Sequence, residues 1–152
     1  MSGFTIRQAG LSDLDALTRL FDQYRAFQGK ASDLSAARAF LQARFDHGES
    51  VVFLASNANG PAGFAQLYPS YSSASLTRVF ILNDLYVHES ARRDGVASAL
   101  LAAVETYAWS LGAGRITLNV AIENRSGQAL YEKQGWTRDS QFFMYHRFPK
   151  DQ

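Results

Sequence analysis

The chain has no cysteine in its 152 residues. This excludes disulfides, thiol catalysis and thiolate metal ligation together. Histidine is almost as scarce. His47, His88 and His146 stand alone, none at ligand spacing from another, so no metal site is expected. An excess of one charge is missing too, since 15 Lys and Arg against 14 Asp and Glu leave +1. No global field then recommends nucleic acid or an anionic membrane as a partner. Long apolar runs are absent, and the longest, 95–104, is far too short to cross a bilayer. Residues 1–15 carry acids by position 13 and no apolar run, which does not read as a signal peptide. The expectation is a cytoplasmic protein without nucleic-acid or membrane partners, and the lack of cysteine agrees with a reducing compartment. No repeat or linker interrupts the chain, so it reads as a single domain, 1–152.

Apolar residues make up 47% and aromatics 13%, enough for a real core and too much for a disordered chain. Phe4–Gln8 alternates as a strand. Ser12 followed by Asp13 and Asp15 reads as a helix start, with Leu14, Leu17, Phe21 and Tyr24 at helical spacing. Asp33 or Ser35 caps a second helix whose apolar face is Ala36, Phe40, Leu41 and Phe45. Strands follow at 51–55, 62–68 and 76–87, the first two joined by the Asn59-Gly60 turn. A helix with Val96, Leu100, Leu101, Val104, Ala108 and Leu111 on one face ends at Gly112 and Gly114. A strand at 116–120, a helix at 126–134 and strands at 136–140 and 142–148 complete the chain. The order β-α-α-β-β-β-α-β-α-β-β predicts an α/β fold with a mixed sheet covered on both faces.

Two segments carry chemistry. In the first, a strand ending at Val87 leads through Arg92, Arg93 and Asp94 to a helix that begins at Gly95. The first amides of a helix lack internal partners and carry partial positive charge, which suits a phosphate or pyrophosphate. Gly95 and Ala97 let the backbone come close, and the arginines add charge. The plainer reading is a tight turn relieved by Gly95, with solvated arginines. No Gly-Lys-Ser/Thr ends the turn, and the glycines of a dinucleotide fingerprint are absent. In the second segment Asn124 opens a helix containing Ala129 and Tyr131 that closes at Gly135-Trp136. Taken alone, Asn124 is a cap and Tyr131 a half-buried aromatic.

Together the two segments resemble the GNAT acetyltransferase superfamily. Arg92, Gly95 and Ala97, followed by Leu100-Leu101, look like its acetyl-CoA motif R/Q-x-x-G-x-G/A. Asn124, residues 127–129, Tyr131 and Gly135-Trp136 look like its Asn-to-Tyr element, with Ala129 displaced. The element order is similar to the family's fold along nearly the whole chain.

The resemblance implies splayed central strands at 82–87 and 116–120, with the pantetheine arm of acetyl-CoA in the gap on the backbones of Leu85 and Val87, and Tyr86 between them. It places the pyrophosphate on the amides of Arg92, Arg93, Asp94, Gly95, Val96, Ala97 and Ser98. Asn124 would bond the arm near its sulfur. Tyr131 would orient or protonate the leaving thiolate. Asp94, an acid beside that site, is expected to point to solvent. Asp84 is the first choice for the base that deprotonates the acceptor amine, turned to the gap by alternation or by a bulge. A backbone-capping role for Asp84 stays open, and Glu123 is another candidate base. The strand 82–87 looks like that of polyamine acetyltransferases, except that Asn83 replaces the first of their two acids. The expected function is N-acetylation of a primary amine, a small molecule first. A protein amino group, an aminoglycoside, or CoA sensing without turnover are the alternatives. Asp22, Asp33, Glu49 and Asp84, with Tyr24, Phe27, Tyr68 and Tyr71, are the residues expected to serve the acceptor. The aromatic C-terminal strands suggest a homodimer.

Overall fold

The computed structural model describes residues 3–150, and its contacts divide the chain into two compact units, Met1–Asn119 and Val120–Gln152. The first unit holds β1 (Phe4–Gln8), a 3-10 turn (Leu11–Asp13), α1 (Leu14–Phe27), α2 (Leu34–Asp46), β2 (Val51–Asn57), β3 (Gly60–Ser72), β4 (Thr77–Val87), a second 3-10 turn (Glu89–Ala91), α3 (Val96–Ser110) and β5 (Ile116–Thr117). The sheet runs β1-β2-β3-β4-β5, antiparallel through β4 and parallel from β4 to β5. The mixed α/β class read from the sequence is the one observed.

The middle strands are buried on both faces. Val52 and Leu54 of β2 join Leu14, Leu17, Phe21 and Leu41 of α1 and α2 in one core. Phe53, which lies between them and points the other way, meets Tyr107 of α3 with ring centroids 5.6 Å apart. On α3, Val96, Leu100, Leu101, Val104 and Ala108 are buried as their spacing requires, while Leu111 is exposed. Each leucine withdrawn from water contributes about 1.5–3 kcal/mol.

Several boundaries differ from the sequence reading. The first helix is not opened by Ser12. Gly10 starts a 3-10 turn, and the Asp13 carboxylate accepts from the Gly10 amide at 2.9 Å while pairing with Arg7. In α2 the buried residues are Ala37 and Leu41, not Ala36 and Phe40, and Asp33, rather than Ser35, is the cap, accepting from the Ala36 amide at 3.0 Å. The strand expected at 116–120 is cut to Ile116–Thr117.

The second unit contains α4 (Arg125–Lys133). The strands expected at 136–140 and 142–148 are not formed, since no ladder hydrogen bonds pair them with any of the described residues. Phe142, Phe143, Met144, Tyr145 and Phe148 are exposed there. Their composition favours strands, but a strand exists only where a neighbour's amides and carbonyls meet it.

Candidate active site

The sheet opens along β4. Its pairing with β5 covers only Phe80↔Ile116 and Ile81↔Thr117. From Leu82 to Val87 no described strand pairs with β4 on that side. This is the splay that the sequence led us to expect, and Leu85, Tyr86 and Val87 lie along it. Their other edge is held by β3, with Leu85 opposite Ala65, Tyr86 opposite Phe64 and Val87 opposite Gly63. A Cβ on Gly63 would stand 2.7 Å from the Tyr86 carbonyl oxygen, so only glycine permits this approach.

A bulge sets which way β4 faces. Leu82 pairs with Leu67 and Asp84 with Gln66, so Asn83 is the extra residue. Before it, Phe80 faces α3 through Tyr107. After it, Asp84 and Tyr86 lie on the opposite face, beside Gln66 and Phe64 and toward α1. Unbroken alternation would have kept Asp84 on the α3 side. Of the two routes considered from sequence, the bulge is the one present.

Asp84 is 6% exposed and borders a cavity of about 650 Å³. Phe21 and Tyr24 of α1, Phe40 of α2 and Tyr68 of β3 give this cavity aromatic walls, with Arg25, Lys30 and Asp33 also lining it. The Asp84 carboxylate accepts from Gln66 Nε2 at 2.8 Å and from Asn83 Nδ2 at 3.2 Å. Burial raises its pKa above the ordinary carboxylate value, against the opposing effect of hydrogen bonds from Gln66, Asn83 and Tyr24. Burial and the Asp84 charge push the Tyr68 phenol up to about 12, so it stays protonated.

The other acceptor candidates separate. Asp22 is buried but committed, accepting from the Ser32 hydroxyl at 2.6 Å and the Asp33 amide at 2.8 Å, and these bonds lower its pKa. Glu49 pairs with Arg44 at 3.1 Å. Neither lines the cavity, and nor do Phe27 and Tyr71, each 70% exposed. Sequence reasoning missed Gln66, which is fully buried against Asp84. No local pattern marks it, because its significance lies in a cross-strand neighbour.

Beyond β4 the chain turns into α3. Arg92 is tied down: its Nε donates to the Val87 carbonyl at 3.0 Å, and its guanidinium lies over the rings of Phe27 and Tyr86. Arg93 and Gly95 both have positive φ, 73° and 83°. Gly95 is the N-cap and supplies no side-chain cap to the helix start at Val96. Such a start directs its first amides outward and favours an anion. Asp94 is exposed, as expected. Ala97 and Ser98 are half-buried in the first turn, and Val96 is buried.

Asn124 and Tyr131 belong to the second unit. The Asn124 side chain caps α4, accepting from the Gly127 amide at 3.0 Å. Tyr131 lies on the same helix with its ring 6.0 Å from Trp136, and burial raises its pKa. Its phenol is therefore protonated at neutral pH. Glu123 is exposed beside this cap. Among the described residues no group of three or more His, Asp or Glu could hold a metal ion, and no helix is long and apolar enough to cross a membrane.

Residues 14–136 match the profile of the Acetyltransferase (GNAT) family. The chain is 46% identical over 140 residues to the uncharacterized N-acetyltransferase YhfO of Bacillus subtilis (strain 168), covering 92% of this chain and 94% of the relative. A crystal structure of a probable acetyltransferase shares 41% identity at a TM-score of 0.91, over 97% of this chain and 99% of that one. The aminoglycoside N-acetyltransferase AAC(6')-Iy, solved in complex with CoA, shares the fold at a TM-score of 0.81 and 22% identity, over 97% and 96% of the two chains. With its splayed β4, its phosphate-ready helix start and these relatives, the chain belongs to the acetyltransferase (GNAT) family and is an acetyl-CoA-dependent N-acetyltransferase.

Proposed function

We propose that this enzyme acetylates a primary amine of a small molecule, by direct attack in a ternary complex within one catalytic domain spanning 1–152. The observation that carries the reading is Asp84, delivered by a bulge to an aromatic-walled cavity while no described strand pairs with the outer edge of β4 beside it. Acetyl-CoA supplies an activated acyl group as its thioester. The residues present fit it. The open edge of Leu85, Tyr86 and Val87 offers backbone pairing to the pantetheine arm. The turn Arg92, Arg93, Asp94, Gly95 and the first α3 residues Val96, Ala97 and Ser98 offer amides and charge to the pyrophosphate. Asn124 would bond the arm near its sulfur end, as the sequence resemblance implies.

An ammonium has no lone pair, so the acceptor must first lose a proton. Asp84 takes it, and its burial makes it a stronger base than an exposed carboxylate. The freed amine attacks the thioester carbon, and by the same resemblance Tyr131 would hydrogen-bond the departing sulfur and protonate it. Burial holds the Tyr131 phenol protonated, the form that can donate to sulfur.

The acid and aromatic lining of the cavity favours a small amine over a protein amino group. Structural neighbours that act on aminoglycosides lie below 25% identity and share the fold alone, so that alternative gains no support. A sensor without turnover would not need a buried acid at the acceptor end. The exposed aromatics at 142–148 support a homodimer in which a second copy covers them, and a monomer mass by light scattering at tens of micromolar would refute this. The near-neutral, cysteine-free composition supports a cytoplasmic location without nucleic-acid or membrane partners. The function is tested by adding a panel of diamines, amino acids and aromatic amines to protein and acetyl-CoA. At least one should release free CoA thiol and gain one acetyl group by mass. Release independent of any amine would overturn the proposal.

A further inference from the structure

We propose that Gln66 is a positioning residue whose side-chain amide holds Asp84 toward the cavity before and after the carboxylate takes up the acceptor's proton. The inference rests on Asp84 as the base. Gln66 is fully buried in β3, directly opposite Asp84 in the β3–β4 register. Its Nε2 donates to Asp84 Oδ2 at 2.8 Å. Its Oε1 is buried and has no hydrogen-bond partner among the described residues. An unpaired buried carbonyl is unfavourable, and an apolar side chain of similar volume would fill the space without that cost. The amide does something that an apolar side chain cannot.

The chemistry of the step identifies it. The substrate R–NH3+ gives one proton to the Asp84 carboxylate, leaving R–NH2 and a neutral carboxylic acid. The carboxylate needs a donor, which Nε2 supplies. The acid carries an O–H and needs an acceptor, which the unpaired Oε1 supplies after a half-turn of the planar amide. The flip conserves volume, so it fits the closed space. An amide carries a donor and an acceptor side by side, so it bonds either state, and its bond to the charged carboxylate is the stronger of the two. Asn83 holds the other carboxylate oxygen at 3.2 Å, and Tyr24 also bonds the carboxylate. Other charged or titratable groups on the elements around Asp84 are Arg25 of α1, Lys30 between the helices, Asp33 at the start of α2 and Tyr68 of β3.

The test is a pH titration of 13C-labelled aspartate carboxyl signals by NMR in CoA-saturated protein. Asp84 is identified by the signal missing from Asp84→Asn. Removing a donor from the charged form favours protonation. In Gln66→Leu the Asp84 signal should therefore titrate at higher pH than in the wild type. In the wild type the side-chain 15N signals of Gln66 should follow the Asp84 midpoint. The acidic limb of kcat/KM, measured with the amine most active in the thiol-release panel, should move up with it in Gln66→Leu. The rate below that limb should fall on the order of ten- to a hundredfold, the scale of a misplaced catalytic group. Gln66→Met, nearer in shape to glutamine and likewise without a donor, tests the same point if Gln66→Leu does not fold. An Asp84 midpoint unmoved in whichever variant folds overturns the proposal, and so does a moved midpoint with an unmoved rate profile. Wild-type kinetics in Asp84→Asn would overturn the base reading itself and this inference with it. Impaired Asp84→Asn beside silent Gln66 variants would remove Gln66 alone.

Discussion

Gly63→Ala is a small change with a large expected effect, because both atoms it strikes are backbone. The new Cβ would lie 2.7 Å from the Tyr86 carbonyl oxygen and 3.2 Å from Val87 Cα. Ordinary contact begins near 3.4 Å, so β3 and β4 must part by about 0.7 Å along the shorter line. Neither neighbour is a flexible side chain that swings aside. Strain of this kind costs about 1–3 kcal/mol. For a chain of this length each kcal/mol lowers the melting temperature by roughly 2–4 °C, so the loss is roughly 2–12 °C. The displaced residues are also those offered to the pantetheine arm. Loss of one such hydrogen bond, about 0.5–1.5 kcal/mol, weakens CoA binding by roughly two- to tenfold. Thermal melts and calorimetric titration with CoA measure both. Gly3→Ala is the control, since a Cβ there meets nothing within 4 Å. A Gly63→Ala protein that melts and binds CoA like the wild type would refute the close approach and the use of this edge.

The remaining predictions concern the site directly. CoA at a hundred times its dissociation constant should stabilise the wild type by about 2.7 kcal/mol, and Gly95→Asp should abolish that thermal shift by placing a side chain and a negative charge at the helix start. Tyr131→Phe should leave stability and acetyl-CoA affinity nearly unchanged while turnover falls on the order of 10²-fold, and full activity at every pH would remove it from the catalytic list. Asp84→Asn should slow turnover by a deficit that higher pH relieves, as the amine then deprotonates unaided. It should also raise stability at neutral pH. The folded pKa of Asp84 lies above its unfolded value, so the native state loses stability as pH rises through that folded value, and the advantage of Asp84→Asn should vanish in acid, where Asp84 is protonated in both states. A neutral-pH melting temperature below that of the wild type would contradict the cost of burying this charge.

What the sequence revealed follows from how local each determinant is. The buried stripe of α3 was legible because helical spacing is a property of nearby residues, and Gly95 was legible because a helix start leaves its own marks. The bulge at Asn83 was only half legible. Alternation or a bulge was expected to turn Asp84 to the gap, and the register with Gln66 and Leu67 shows that the bulge sets its face. Gln66 itself gave no sign, since a lone polar residue in a strand reads as one facing solvent, and only the fold shows that β3 is buried on both faces there. The strands read at 136–140 and 142–148 were the opposite case. Aromatic and β-favouring residues describe what a strand is made of, but pairing depends on partners elsewhere, and none of the described residues pairs with them.

Donor and acceptor should meet where the open edge of β4 runs beside the Asp84 cavity. A crystal structure of the protein with CoA and an amine that it acetylates tests this most directly. The pyrophosphate should lie on the amides at the start of α3, the pantetheine arm along Leu85 to Val87, and the amine nitrogen within hydrogen-bonding distance of Asp84. An amine bound outside the Asp84 cavity, or CoA bound away from the β4 edge, would contradict the account.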